Sequence, residues 1–137
     1  MYKVEVVNGT PDVMENKIMQ ARLYDTGSFN KIDDEIRNSS AHSFAIVVKS
    51  WAILHVNNDQ AERSEYDRIA LFDESGEIYS TGSIGAMESF TNLWNMLDEQ
   101  ATQVQFVFYK KKSRKREGEY MSCTVKPLDW VSSEGIM

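Results

Sequence analysis

The run from Phe44 to Val56 constrains the fold of this chain more than any other segment. It is rich in Val, Ile and Trp, and it is longer than an average strand yet far short of the ~20 residues a membrane helix needs. One long strand that bends near Ser50 satisfies both limits and suits a curved barrel.

The elements that follow can be read from their periodicity. Asn57 to Glu65 is a polar loop, and Tyr66 to Asp73 is a second strand in which Ile69 and Leu71 alternate with Arg68 and Ala70. Glu74-Ser75-Gly76-Glu77 makes a tight turn into a third strand, Ile78 to Gly82, so the two strands form an antiparallel hairpin. Ser83 is a candidate N-cap for an amphipathic helix, with Ala86, Phe90, Leu93, Trp94 and Leu97 along one stripe running to about Glu99. Thr102 to Tyr109 reads as a fourth strand with Val104, Phe106 and Phe108 on one face. Glu119 to Val125 reads as a fifth, with Met121, Cys123 and Val125 inward and Tyr120, Ser122 and Thr124 outward.

Five antiparallel strands with a helix between the third and fourth is the order of the OB-fold, a mainly β, partly open barrel. The alternative built from the same elements is a helix lying across a flat antiparallel sheet. Residues 44–128 are the expected OB-fold domain, and residues 129–137 a C-terminal tail. Residues 1–43 are an expected N-terminal extension: a strand from Tyr2 to Val7, a turn at Asn8-Gly9-Thr10-Pro11 and a short helix around Phe29, Ile32 and Ile36. The polar cluster Asn38 to Ser43 then marks the boundary.

Composition narrows the chemistry. A chain of 137 residues with 42% hydrophobic and 26% charged residues supports one packed domain. The lone Cys123 excludes an intrachain disulfide and Cys-based zinc sites, and His42 and His55 are the only histidines, so no metal or other cofactor is expected. The glycine loops of phosphate-binding enzymes, the nucleophile elbow and the histidine–zinc motif are all missing. Asp33-Asp34-Glu35 reads as an exposed helix face, so catalysis is not expected. Charges in Met1-Tyr2-Lys3-Val4-Glu5 occupy the place of a signal peptide's apolar stretch, which predicts a cytoplasmic protein, neither exported nor membrane-bound.

The net charge of −6 conceals a strong asymmetry. Lys110, Lys111, Lys112, Arg114, Lys115 and Arg116 are six of the 15 basic residues, leaving nine basic against 21 acidic elsewhere. The chain is an acidic body with one basic loop, between the fourth and fifth strands. In OB-folds that bind oligonucleotides that loop borders the binding face on strands two and three.

Binding a single strand requires cations for phosphates and flat rings for bases. Strand alternation places Lys49, Trp51 and His55 opposite the core face of the first strand, and Arg68 and Phe72 outward on the second. Tyr79 points outward on the third, and Tyr109 and Tyr120 flank the basic loop. Trp51 and Phe72 are also large apolar residues whose ordinary place is the core, and a half-exposed Tyr needs no functional reason. Cys123 reads as a small buried hydrophobe.

With these elements placed, Lys49 to Val125 resembles the single-stranded DNA-binding proteins of bacteriophages that infect Gram-positive bacteria. Three pieces carry the resemblance: Tyr66 to Phe72 followed by Ser75 to Ser83, the helix with Phe90, Leu93 and Leu97, and the basic loop leading into Gly118-Glu119-Tyr120. The resemblance implies an OB-fold, non-sequence-specific binding of single-stranded DNA, and a non-enzymatic role in phage replication or recombination beside other proteins of those processes, in the host cytoplasm. Such proteins often end in a disordered acidic tail, whereas Ser132 to Met137 holds one acid. The N-terminal segment leaves room for a dimer interface. The competing reading is a protein-interaction module, a DNA mimic or host-enzyme inhibitor, in which the acidic body imitates nucleic acid.

Overall fold

The computed structural model describes residues 2–58, 65–112 and 119–131. The expected loop residues 59–64 and tail residues 132–137 lie outside the described residues. The chain is mainly β, with eight strands in two sheets among the described residues. It divides into two units, residues 1–30 with 49–82 and residues 31–48 with 83–137. The expected extension 1–43 is therefore shared between both units.

The first unit is built on the sheet order β1-β4-β5-β6-β2, where β1 is Tyr2–Gly9, β2 Asn30–Lys31, β4 Ser50–Asn58, β5 Glu65–Phe72 and β6 Ile78–Thr81. The ladders β1–β4, β4–β5 and β5–β6 are antiparallel. Asp73 shapes the β5–β6 turn: its Oδ1 accepts from the backbone N–H groups of Ser75 and Glu77, both at 2.9 Å. Gly76 supplies the positive φ of +86° that the turn requires.

One face of this sheet presents Val4, Ala52, Leu54, Val56, Ala70, Phe72 and Ile78 to the core. Val13, Leu23 and Phe29 from the segment after β1 belong to the same cluster. That segment forms two short helices, α1 (Pro11–Glu15) and α2 (Lys17–Arg22), with Asn16 capping α2 through its side-chain oxygen. Thr10 ties α1 to the sheet. Its N–H donates to Trp51 O at 3.0 Å, and its Oγ accepts from Trp51 N–H at 3.3 Å. Burial alone would raise the Asp12 carboxyl, but hydrogen bonds from the Ser50 and Thr10 hydroxyls and the Val13 N–H outweigh it and hold Asp12 below the usual carboxylate value.

The second unit is built on the sheet β3-β7-β8, where β3 is Ser43–Ile46, β7 Val104–Lys112 and β8 Glu119–Pro127. It also holds the helices α3 (Ile32–Asn38) and α4 (Ile84–Leu97). Ser83 caps α4 as its sequence predicts, its Oγ accepting from Ala86 N–H at 3.2 Å. Phe90 of α4 packs on the sheet, 4.7 Å from the Phe106 ring and 6.4 Å from Phe108 between centroids, and Trp94 lies 6.0 Å from Phe106. Met121 and Cys123 are buried and Tyr120 is exposed, so the expected alternation of the last strand holds. Burial pushes the Cys123 thiol up to about 12, so at neutral pH it is a protonated, inert thiol.

The long apolar run breaks at residues 47–49, close to the expected bend, and its halves become β3 and β4 in different sheets. No closed five-stranded barrel is found, because the ladders among the described residues stop at two sheets. No helix among the described residues is long and apolar enough to cross a membrane.

Gly9 is needed for the approach of β1 to β4, since a Cβ there would stand 2.6 Å from Trp51 O. Gly9→Ala must push backbone against backbone, and the expected loss is roughly 1–3 kcal/mol of stability by urea unfolding. An unchanged midpoint would show that β1 can shift without cost.

Candidate nucleic-acid interface

The strand register decides which of the expected site residues meet. Trp51, Leu71 and Tyr79 are cross-strand partners, and so are Ser50, Phe72 and Ile78. Trp51 and Tyr79 thus share one face of the first sheet, while Phe72 and Arg68 lie on the other with the core cluster. The expected continuous face of Lys49, Trp51, Arg68, Phe72 and Tyr79 does not form, because Ala70 and Phe72, and not Ile69 and Leu71, share the core face with Ala52 and Leu54, while Leu71 stands beside Trp51 on the other.

Two of the rings are also not open. Trp51 is 6% exposed and Phe72 3%, with the Arg22 guanidinium 5.6 Å from the centre of the Phe72 ring. Both are core residues, as large apolar side chains ordinarily are. Arg22 is held in place by donating to Gly76 O at 2.5 Å.

The cations expected in the site on the first sheet are committed locally. Lys49 pairs with Glu74 at 3.4 Å. Arg68 donates to the Ser80 hydroxyl, and its Nε is buried without a hydrogen-bond partner among the described residues. His55 Nδ1 lies 2.8 Å from Asp67 Oδ1 and Nε2 3.7 Å from Glu65 Oε1. The Asp67 hydrogen bond, aided by the charges of Asp67 and Glu65, raises His55 above its ordinary 6.5. Two carboxylates around one imidazole make a poor phosphate site.

The second unit brings the remaining residues together. Along β7 the face opposite that of Phe106 and Phe108 carries Gln105, Val107, Tyr109 and Lys111, with Val107 buried and Lys111 exposed. Their β8 partners are Lys126, Thr124, Ser122 and Tyr120. Lys111 is therefore directly opposite Tyr120, with Tyr109 as a diagonal neighbour on the same face. Tyr120 is 44% exposed and Tyr109 half-buried, while Lys110, Lys111 and Lys112 are exposed. β3 pairs with β7 only from Ile46 to Ser43, opposite Phe106 to Tyr109, so the three lysines extend beyond β3 and pair with β8 alone. Arg114, Lys115 and Arg116 lie outside the described residues.

Lys126 and Trp130 extend this surface and were not anticipated. The Lys126 ammonium lies 5.7 Å from the centre of the Trp130 ring. Gln105 Nε2 donates to the carbonyls of Pro127 at 3.0 Å, Leu128 at 3.2 Å and Trp130 at 2.7 Å, which fixes the turn after β8. The signal for Lys126 was present in the alternation of Tyr120, Ser122 and Thr124, which continues through it. Trp130 depends on the turn and has no such signal.

The chain matches no protein-family model, no curated protein and no solved structure.

The His55 cluster has a signed pH dependence. A folded value raised above the unfolded one contributes stability that is fully present below about pH 6 and is lost as the pH rises through the raised value. The melting temperature of the wild type should therefore exceed that of His55→Gln by more at about pH 6 than at about pH 8. A constant difference would mean that the imidazole takes no charge from its neighbours.

Proposed function

We propose that this protein binds single-stranded DNA without sequence specificity and acts, without catalysis, in phage DNA replication or recombination. The observation that carries the reading is the open end of the β7–β8 ladder, where exposed Lys111 is paired with exposed Tyr120 and flanked by Tyr109. Tyrosine rings offer stacking platforms to any base, and lysines offer charge to the phosphates between them, which gives affinity without sequence readout. The resemblance to phage single-strand binding proteins supplies the biological setting, in which replication or recombination proteins are the natural partners.

An OB-fold is the finer architecture within this reading. The order β4, β5, β6, α4, β7, β8 matches that fold, and the broken run β3–β4 feeds one half to each sheet as a bent first barrel strand does. The binding surface differs from the expected one. It lies on the last two strands, where Lys110, Lys111 and Lys112 belong to β7 and not to the expected loop, and the rings of β4 and β5 do not contribute.

Fluorescence anisotropy with a labelled oligo-dT of about 30 nucleotides, against duplex of the same length, tests the reading directly. Salt-sensitive binding to the single strand with little to the duplex is expected. Failure to bind at low salt would leave the protein-interaction module in its place.

Replacing Lys110, Lys111 and Lys112 together by Gln should flatten the dependence of log affinity on log salt by about 2, at ~0.7 per lost phosphate contact. An unchanged slope would remove these lysines from the phosphate path. Tyr120→Ala should weaken binding by roughly 1–3 kcal/mol with the fold intact. A loss well below that range would return this ring to the ordinary surface.

A further inference from the structure

Apart from the sheet face, the second unit contains a cavity of about 390 Å³ lined by Asp33, Ile36, Arg37, His42 and Lys110. That volume lies in the range of small-molecule sites. Local structure explains why these residues meet. Asp33 and Arg37 are one helical turn apart on α3 and share a side of it, while the buried Ile36 supplies an apolar wall. After α3 the chain turns with His42 N–H donating to Ser39 O at 3.1 Å and Ala41 N–H to Ser39 Oγ at 3.2 Å. His42 takes a φ of +55°, a left-handed conformation uncommon for a residue with a side chain. Lys110 enters from β7 and reaches Asp33 Oδ2 at 3.5 Å.

Two permanent cations and an imidazole thus face one cavity against a single carboxylate. The Lys110–Asp33 pair is long and partly exposed, so it holds the lysine only weakly. Arg37 also pairs with Asp34, outside the lining residues, across an exposed helix surface. The donors come from three different elements, a helix, a turn and a strand. That arrangement suits a tetrahedral anion with three terminal oxygens better than a planar carboxylate with two.

We propose that this cavity binds a phosphate monoester. Arg37 provides a planar fork for two oxygens, Lys110 a point charge and His42 a ring N–H. The group can come from the terminal phosphate of a nucleic-acid strand or from a free nucleotide. The proposal does not depend on binding of a strand by the sheet face: Lys110, the one residue it shares with the lysine run, lies on the opposite face of β7 from Lys111.

The test is a ¹H–¹⁵N NMR titration of the full chain with inorganic phosphate, with thymidine monophosphate, and with short oligo-dT bearing either a 5′-phosphate or a 5′-hydroxyl. Saturable shifts at Arg37, His42 and Lys110 are expected with phosphate and with the nucleotide. Arg37→Gln should weaken nucleotide binding roughly tenfold and leave binding of the 5′-hydroxyl strand unchanged. Asp33→Asn should tighten nucleotide binding, a gain that a merely structural ion pair would not give. A 5′-phosphate that tightens strand binding, with the advantage lost in Arg37→Gln, identifies the strand end as the source. Nucleotide binding without that advantage identifies the free nucleotide. Should the 5′-hydroxyl strand fail to bind while the nucleotide saturates these residues, the single-strand reading falls and the pocket stands. Absence of shifts at Arg37 and His42 with both phosphate and nucleotide, or a nucleotide affinity unaltered in both variants, overturns the proposal.

Discussion

The organisation of the molecule depends on one apolar run that has to serve two sheets. Between Ser43 and Asn58 the chain pairs first with β7 and then, after a break at residues 47–49, with β1 and β5. Trp51 and Ala52 are both buried although they point to opposite faces of β4, so this strand has no solvent face at that point. Buried backbone groups must be paired, and here the ladders of β1 and β5 meet that demand on either side of β4. Thr10 extends the pairing to the first helix through the Trp51 backbone. The other half of the run has a different consequence. Because β3 is short and ends opposite Tyr109, the following lysines lie past its reach and stay open to solvent.

Local order was legible in the sequence where a signal acts over a few residues. The Ser83 cap, the stripe containing Phe90 and Trp94, the Asp73 to Ile78 turn and the inward placement of Met121 and Cys123 each rest on such a signal, and each is found. Pairing between distant segments was not legible. Nothing in Tyr2 to Gly9 indicates that it adds to the edge of β4, or that the ladder is irregular between Val6 and Asn8. The same limit explains the misplaced rings. Alternation put Trp51 and Phe72 outward, but β4 is buried on both faces at Trp51 and Ala52 and β5 on both faces from Ile69 to Phe72, and only the register shows which face meets the core cluster. Ala52 opposite Ala70, and not opposite Leu71, separates Trp51 from Phe72. In β7 and β8, where Tyr109 and Tyr120 were expected to flank a basic loop, the ladder runs on to Lys112 and sets Lys111 opposite Tyr120.

Charge sorts the candidate surfaces in a way that net charge does not. Lys49 faces Glu74, His55 lies between Glu65 and Asp67, and Arg68 is half-buried against Ser80. The basic residues named on the first sheet are thus engaged by their own surroundings, and an arriving phosphate would have to displace those partners. Lys110 has one weak partner in Asp33, and Lys111 stands across from a tyrosine and not from an acid. Exposed charges at physiological salt act over about 8 Å, and successive side chains on one face of a strand are closer than that, so a phosphate near the end of β7 responds to the lysines there and only weakly to the acidic remainder. On the proposed reading, the narrow cationic strip with rings beside it would be the part of the surface open to a strand whose bases are free to stack.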